Sequence, residues 1–71
     1  MGIEPKGTAI WRAAALMHEA RGPLAVAEAA SRALAHRRRG DDAGFDVWSC
    51  ICAAIRTLDE RQAADAWNEA G

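Results

Sequence analysis

Between residues 8 and 70 glycine and proline occur at only three places, Gly22-Pro23, Gly40 and Gly44, and the first two fall between helical stretches. No stretch between them alternates apolar and polar side chains over β-branched residues, the pattern a half-buried strand requires. Apolar residues recur instead every three or four positions. This spacing restricts the chain to an all-α fold, and the punctuation divides it into a small three-helix bundle with a short fourth C-terminal helix.

Residues 1–7, with Pro5 and Gly7, read as a flexible lead-in to a single helical domain spanning 8–71. Thr8 is placed to N-cap a first helix of about residues 9–21, whose inward stripe is Ile10, Ala13, Ala14 and Met17, with Trp11 on its flank. A second helix, about 24–39, carries Val26, Ala29, Ala30, Ala33 and Leu34 inward, with Glu28, Ser31, Arg32 and Arg39 on its wet side. Gly40 suits its C′ position. Asp41 or Asp42 caps a third helix, about 43–58, built on Trp48, Ile51, Cys52, Ile55 and Leu58. The run Asp59-Glu60-Arg61-Gln62 has the form of a capping box. Asp59 would also fall on the apolar stripe of an unbroken helix, so a kink or fresh start is expected there, followed by a fourth segment over about 60–70.

Seventy-one residues give a thin core. Apolar residues make up 51% of the chain, but many are alanines, which bring little area to a core. Stability must then come from close helix packing, self-association or a partner. The net charge of −1 does not mark a nucleic-acid binder, but the charge is unevenly distributed. Residues 21–40 hold five arginines against Glu28 alone, whereas residues 41–71 hold seven acids against Arg56 and Arg61. A chain polarised in this way can pair its own halves or pair head to tail with another copy.

Arg37, Arg38 and Arg39 fall in the last turn of the second helix and Asp41 and Asp42 at the start of the third, each favoured there by the helix dipole. Three consecutive arginines point three ways and make a knob, not a stripe that tracks phosphates. A helix-turn-helix would need a shorter middle helix and a polar recognition helix, so nucleic-acid binding through this patch is the alternative reading. Arg37 projects toward the apolar stripe and must either snorkel outward or meet an acid from another element.

His18, His36, Cys50 and Cys52 match no zinc spacing, and the histidines read as structural. On a helix the two cysteines lie about 200° apart, which argues against a disulfide between them. Cys52 reads as a buried small hydrophobe and Cys50 as leaning to the polar edge. No nucleophile elbow or phosphate loop is present, and the paired carboxylates are accounted for as caps. No catalytic, cofactor-binding or metal-binding residues are therefore assigned, and enzymatic activity is not expected. No secretory signal or apolar membrane span is visible, so a cytoplasmic protein is expected.

Trp11 and Trp48 are expected to supply the bulk that an alanine-lined core lacks. Trp67, one large ring among alanines, either folds back as a lid or anchors in a partner's groove. Leu16, beside Arg12 on the polar face of the first helix, is a second candidate contact.

Over residues 28–58 the line EAASRALAHRRRGDDAGFDVWSCICAAIRTL resembles small helical proteins of alphaproteobacteria, sphingomonads especially, that carry no assigned activity. Gly40, Asp41, Ala43, Gly44, Trp48, Ile51, Ala54, Ile55 and Leu58 carry the likeness, with Trp11 and Gly22 upstream. The chain departs from that pattern at the arginine run and beyond Leu58. The resemblance implies the helical architecture and adds no mechanism.

The reading that follows is a non-catalytic protein–protein interaction module, a small adaptor, regulator or inhibitor, with a protein partner or a homodimer as its counterpart. Its expected contact residues are Arg37, Arg38, Arg39, Leu16 and Trp67. A phage or mobile-element inhibitor is a further alternative that sequence does not separate from it.

Overall fold

Three helices carry nearly all of the chain. The computed structural model describes the backbone of residues 6–70 and the side chains of residues 7–67. Helix α1 spans Lys6–Arg21, a 3-10 turn follows at Gly22–Leu24, α2 spans Ala25–Arg38 and α3 spans Asp42–Ala70. No strand occurs among the described residues, so the all-α class holds. The division into three helices and a separate fourth does not. Of the lead-in assigned to residues 1–7, residues 1–5 lie outside the described residues, while Lys6 and Gly7 already belong to α1. Thr8 therefore sits within the first turn and is not the cap.

The break between α1 and α2 is a bend, not a loop. Gly22 takes a left-handed φ of 54°, which an L side chain adopts only with strain. Pro23, which lacks an N–H, needs no acceptor. The Ala25 N–H then returns to the Gly22 carbonyl and α2 begins at once.

The corner between α2 and α3 is tighter. Gly40, with φ 76°, donates to the Arg37 carbonyl at 3.0 Å, and Asp41 donates to the His36 carbonyl at 2.9 Å. This is the paired bonding of a Schellman motif, with the glycine at C′ as the sequence requires. Asp41 serves both ends of the corner. Its Oδ1 accepts from the Gly44 N–H at 2.9 Å, and its carbonyl accepts from Phe45 at 3.0 Å, which caps α3.

α3 then runs unbroken for 29 residues, about 43 Å at 1.5 Å per residue. The break expected at Asp59 is absent because a partner meets that acid. Asp59 Oδ1 lies 2.7 Å from His18 Nε2 of α1, so the carboxylate on the stripe is satisfied with no need to end the helix.

α3 is the spine, with α1 and α2 lying against it. α2 runs antiparallel: Cys52 Sγ reaches the Val26 carbonyl, and His36 meets Asp41 at the corner. α1 runs in the same sense as α3, with Ile10 beside Val47 and Cys50 and His18 beside Asp59. The buried core is Ala14, Ala25, Ala29, Ala33, Ile51, Cys52, Ala54 and Ile55. Alanines on α1 and α2 let the helices close on the isoleucines of the spine. Two residues read as core are not: Trp11 is 42% exposed and Leu34 is 48% exposed. The result is a slab of 47 × 35 × 16 Å. Its accessible area of 5306 Å² exceeds by about 1,000 Å² that of a compact protein of its mass.

Candidate functional site

The residues singled out by sequence do not form one site. Arg37 leaves the arginine knob: its guanidinium stands 5.5 Å from the Phe45 ring centroid, so it meets an aromatic face of α3 and no acid. Arg39 turns the other way, with Nη2 3.1 Å from His36 Nδ1. Arg38 is exposed. Leu16 is 69% exposed, as its place on the polar face of α1 requires. Trp67 is 80% exposed and does not fold back as a lid. Arg32, assigned to the wet side, pairs with Glu28 at 3.4 Å and covers the Trp48 ring at 5.1 Å.

The α2–α3 corner holds the densest cluster of polar contacts. His36 Nδ1 is 2.9 Å from Asp41 Oδ2 and 3.1 Å from the Arg39 guanidinium. One nitrogen cannot donate to the carboxylate and accept from arginine at once. The shorter contact and the carboxylate's charge favour donation to Asp41. Asp41 also takes the Gly44 N–H, and that bond, then the His36 bond and the nearby charges of His36 and Arg39, hold its carboxyl below the ordinary aspartate value. Gly44 is a glycine because this latch lies against it. A Cβ there would come within 2.6 Å of Asp41 Oδ2 and 2.7 Å of His36 Cγ. The groups in the latch fasten the corner.

The His18–Asp59 pair borders an open cleft of about 610 Å³ lined also by Glu19, Gly22, Pro23 and Gln62. A histidine held by a carboxylate is two-thirds of a hydrolytic triad, yet no serine, threonine or cysteine lines this cleft. The pair therefore clasps α1 to the middle of α3. Among the described residues no three His, Cys, Asp or Glu side chains are grouped to hold a metal ion, and no helix is long and apolar enough to cross a membrane.

A third region has the form of a docking surface. An apolar groove of about 360 Å³ runs between α2 and α3, lined by Ala30, Ala33, Leu34 and Arg37 on one side and Phe45, Ser49, Cys52, Ala53 and Arg56 on the other. Ala53 also belongs to a shallower groove on the α1 side, with Ile10, Trp11, Cys50 and Thr57. The exposed surface of α3 at Ala53 is thus a low ridge of small side chains between two walls, Leu34 and Phe45 to one side and Trp11 to the other.

Beyond Asp59 α3 continues as an overhang. Every described side chain from Glu60 to Trp67 is exposed. The overhang touches the slab at Arg61, whose guanidinium lies 5.9 Å from the Trp11 ring.

The α3 positions of the groove and the exposed face of the overhang form one stripe. Phe45, Ser49, Cys52, Arg56, Glu60, Ala63 and Trp67 follow at steps of four, three, four, four, three and four, which keeps them on a single side of a helix. That series was readable in the sequence, but the break expected at Asp59 cut it in two, and so Arg56 and Glu60 were missed. Comparison with protein-family models, with curated proteins and with solved structures gives no match for this chain.

Proposed function

We propose that this chain is a non-catalytic interaction module that works by presenting a helix face to another protein surface. One observation carries the reading: α3 continues about three turns past the slab with Trp67 80% exposed at its far end. An indole and its neighbours left in water forgo a burial worth about 25 cal/mol per Å². Tryptophan is also the side chain most enriched where interfaces concentrate their energy. The helix-in-groove mode needs an amphipathic face read at i, i+3 and i+4, and the overhang provides Glu60, Ala63, Ala64 and Trp67 in that register. Of the contact residues expected from sequence, Trp67 is retained at the outer end of the overhang and Arg37 at the rim of the groove, beside Leu34, Phe45 and Arg56.

The test is capture of bound proteins from the native host on the full-length tagged chain, repeated with Trp67→Ala and with the Arg37→Glu/Arg38→Glu/Arg39→Glu variant. Circular dichroism verifies that each variant keeps its helices. A protein retained in stoichiometric amount by the wild type and lost with Trp67→Ala supports the reading. A chain that retains nothing and does not associate with itself overturns it.

A further inference from the structure

Resting on that reading, we infer that the surface is self-complementary: the occupant of the groove is the overhang of a second copy, in a two-fold dimer built on antiparallel α3 helices.

The argument begins with the stripe. In an antiparallel pair related by a two-fold axis, opposed positions add to a constant. An axis crossing the stripe midway between Arg56 and Glu60 sets Arg56 opposite Glu60 of the other copy, Ala53 opposite its Ala63, Cys52 opposite its Ala64 and Ser49 opposite its Trp67. Three of these pairings are chemically matched, while Cys52 is already buried in its own chain. Arg56 and Glu60 are of opposite sign, both are exposed, and neither forms an ion pair with another described residue of its own chain. Ala53 and Ala63 are small and exposed, which permits helix axes to approach to the short end of the usual 8–10 Å range. Ser49 offers little bulk, and the indole facing it comes between Leu34 and Phe45, beneath Arg37. The two-fold makes every one of these contacts occur twice.

Length and area agree with this register. On α3 the groove extends from Phe45 to Arg56, eleven steps or about 16 Å of helix. The overhang from Glu60 to Ala70 is ten steps, about 15 Å. Specific interfaces bury about 600–1,000 Å² on each partner. The accessible area of the whole chain exceeds that of a compact protein of its mass by an amount of the same order. Charge complementarity selects a second copy over a generic apolar helix: Arg56 lines the groove, and Glu60 lies on the face of the overhang that meets it.

The experiment is sedimentation equilibrium on the full chain over a wide concentration range, with four variants verified as helical by circular dichroism. The wild type is expected to reach a dimer. Arg56→Glu and Glu60→Arg each set two like-charge pairs across the axis and should weaken it at least about tenfold. The double variant Arg56→Glu/Glu60→Arg restores opposite charges and should recover most of the loss. Trp67→Ala should weaken the dimer by roughly thirtyfold or more.

A wild type that stays monomeric throughout overturns the inference, as does a dimer indifferent to these variants or one the double variant fails to rescue. The broader reading is separable. A monomeric chain that still loses a captured partner with Trp67→Ala keeps its docking surface with a different occupant, whereas a monomeric chain with no partner loses both.

Discussion

Residues 42–58 and 59–70 belong to one helix but are held by different means. The first stretch is roofed by α1 and α2, and it carries Ile51, Cys52, Ala54 and Ile55 in the core. The second has the His18–Asp59 clasp at its base, the Arg61–Trp11 contact two residues on, Gln62 beside the cleft with α1, and exposed side chains from Ala63 to Trp67. A helix as short as that overhang would be marginal alone. Here it is propagated from a packed segment, so the nucleation cost has already been met. Burial is therefore not what makes the second stretch helical, and its outer face is left for other contacts.

The largest separation between the two stretches should come from Ile55→Ala, because Ile55 is fully buried. Truncation there should cost about 2–5 kcal/mol, enough to unfold much of so small a domain, as read by urea denaturation. Gly44→Ala comes next. In an ordinary helix interior the change gains about 1 kcal/mol, but here the new methyl displaces the His36–Asp41 latch. The expected outcome is a net loss of roughly 1 kcal/mol of the overpacking kind. Adding His36→Ala should return part of it, and a net gain from the single change would show that the latch yields freely.

Asp59→Ala tests the boundary itself. Removing the clasp should cost about 1 kcal/mol, reduced because the Asp59 side chain is 44% exposed. Hydrogen exchange should then quicken in α1 near His18 and in the overhang more than at Ile55. A smaller effect is expected from Asp41→Asn as a function of pH. The folded-state pKa of Asp41 lies below its ordinary value of 3.8, so the carboxylate adds stability above about that pH and loses it as pH falls through the lowered value. Asparagine also caps helices but does not titrate. The difference between wild type and variant should accordingly shrink on acidification below 3.8, and a difference that stays constant down to the lowest pH would remove the linkage. The smallest effect should be that of Trp67→Ala, under about 0.5 kcal/mol on unfolding when measured at concentrations too low for association.

The elements that the sequence made legible are those governed by local chemistry. Gly40 as a C′ residue and an aspartate cap at 41 or 42 follow from backbone bonding within a few residues of each; Gly40 stands as read, and of the two aspartates it is Asp41 that caps. The limits of α2 fall within a residue of the expected ones because glycine bounds it on either side. What was misread depends on partners distant in sequence. Asp59 looked like a stop because an acid on an apolar stripe usually is one, and the histidine that accommodates it lies 41 positions away. Trp11 and Leu34 looked like core because their spacing suits one, but with three helices in all, nothing packs over these two side chains, which are 42% and 48% exposed. The candidate surface was half legible. Trp67 could be named from composition, while its continuity with Phe45 and Arg56 could not be seen across a break that does not exist.

The Schellman corner also has a kinetic consequence. Only three residues, Arg39 to Asp41, separate α2 from α3, so closing that hairpin carries little loop entropy. Its contacts, such as Cys52 with Val26, span fewer residues than those of α1 with α3, such as His18 with Asp59, and closer contacts in sequence form earlier. The α2–α3 hairpin should therefore be the nucleus, with φ-values high at Ala29 and Ile51, and α1 should dock afterwards, with φ-values near zero at Ala14.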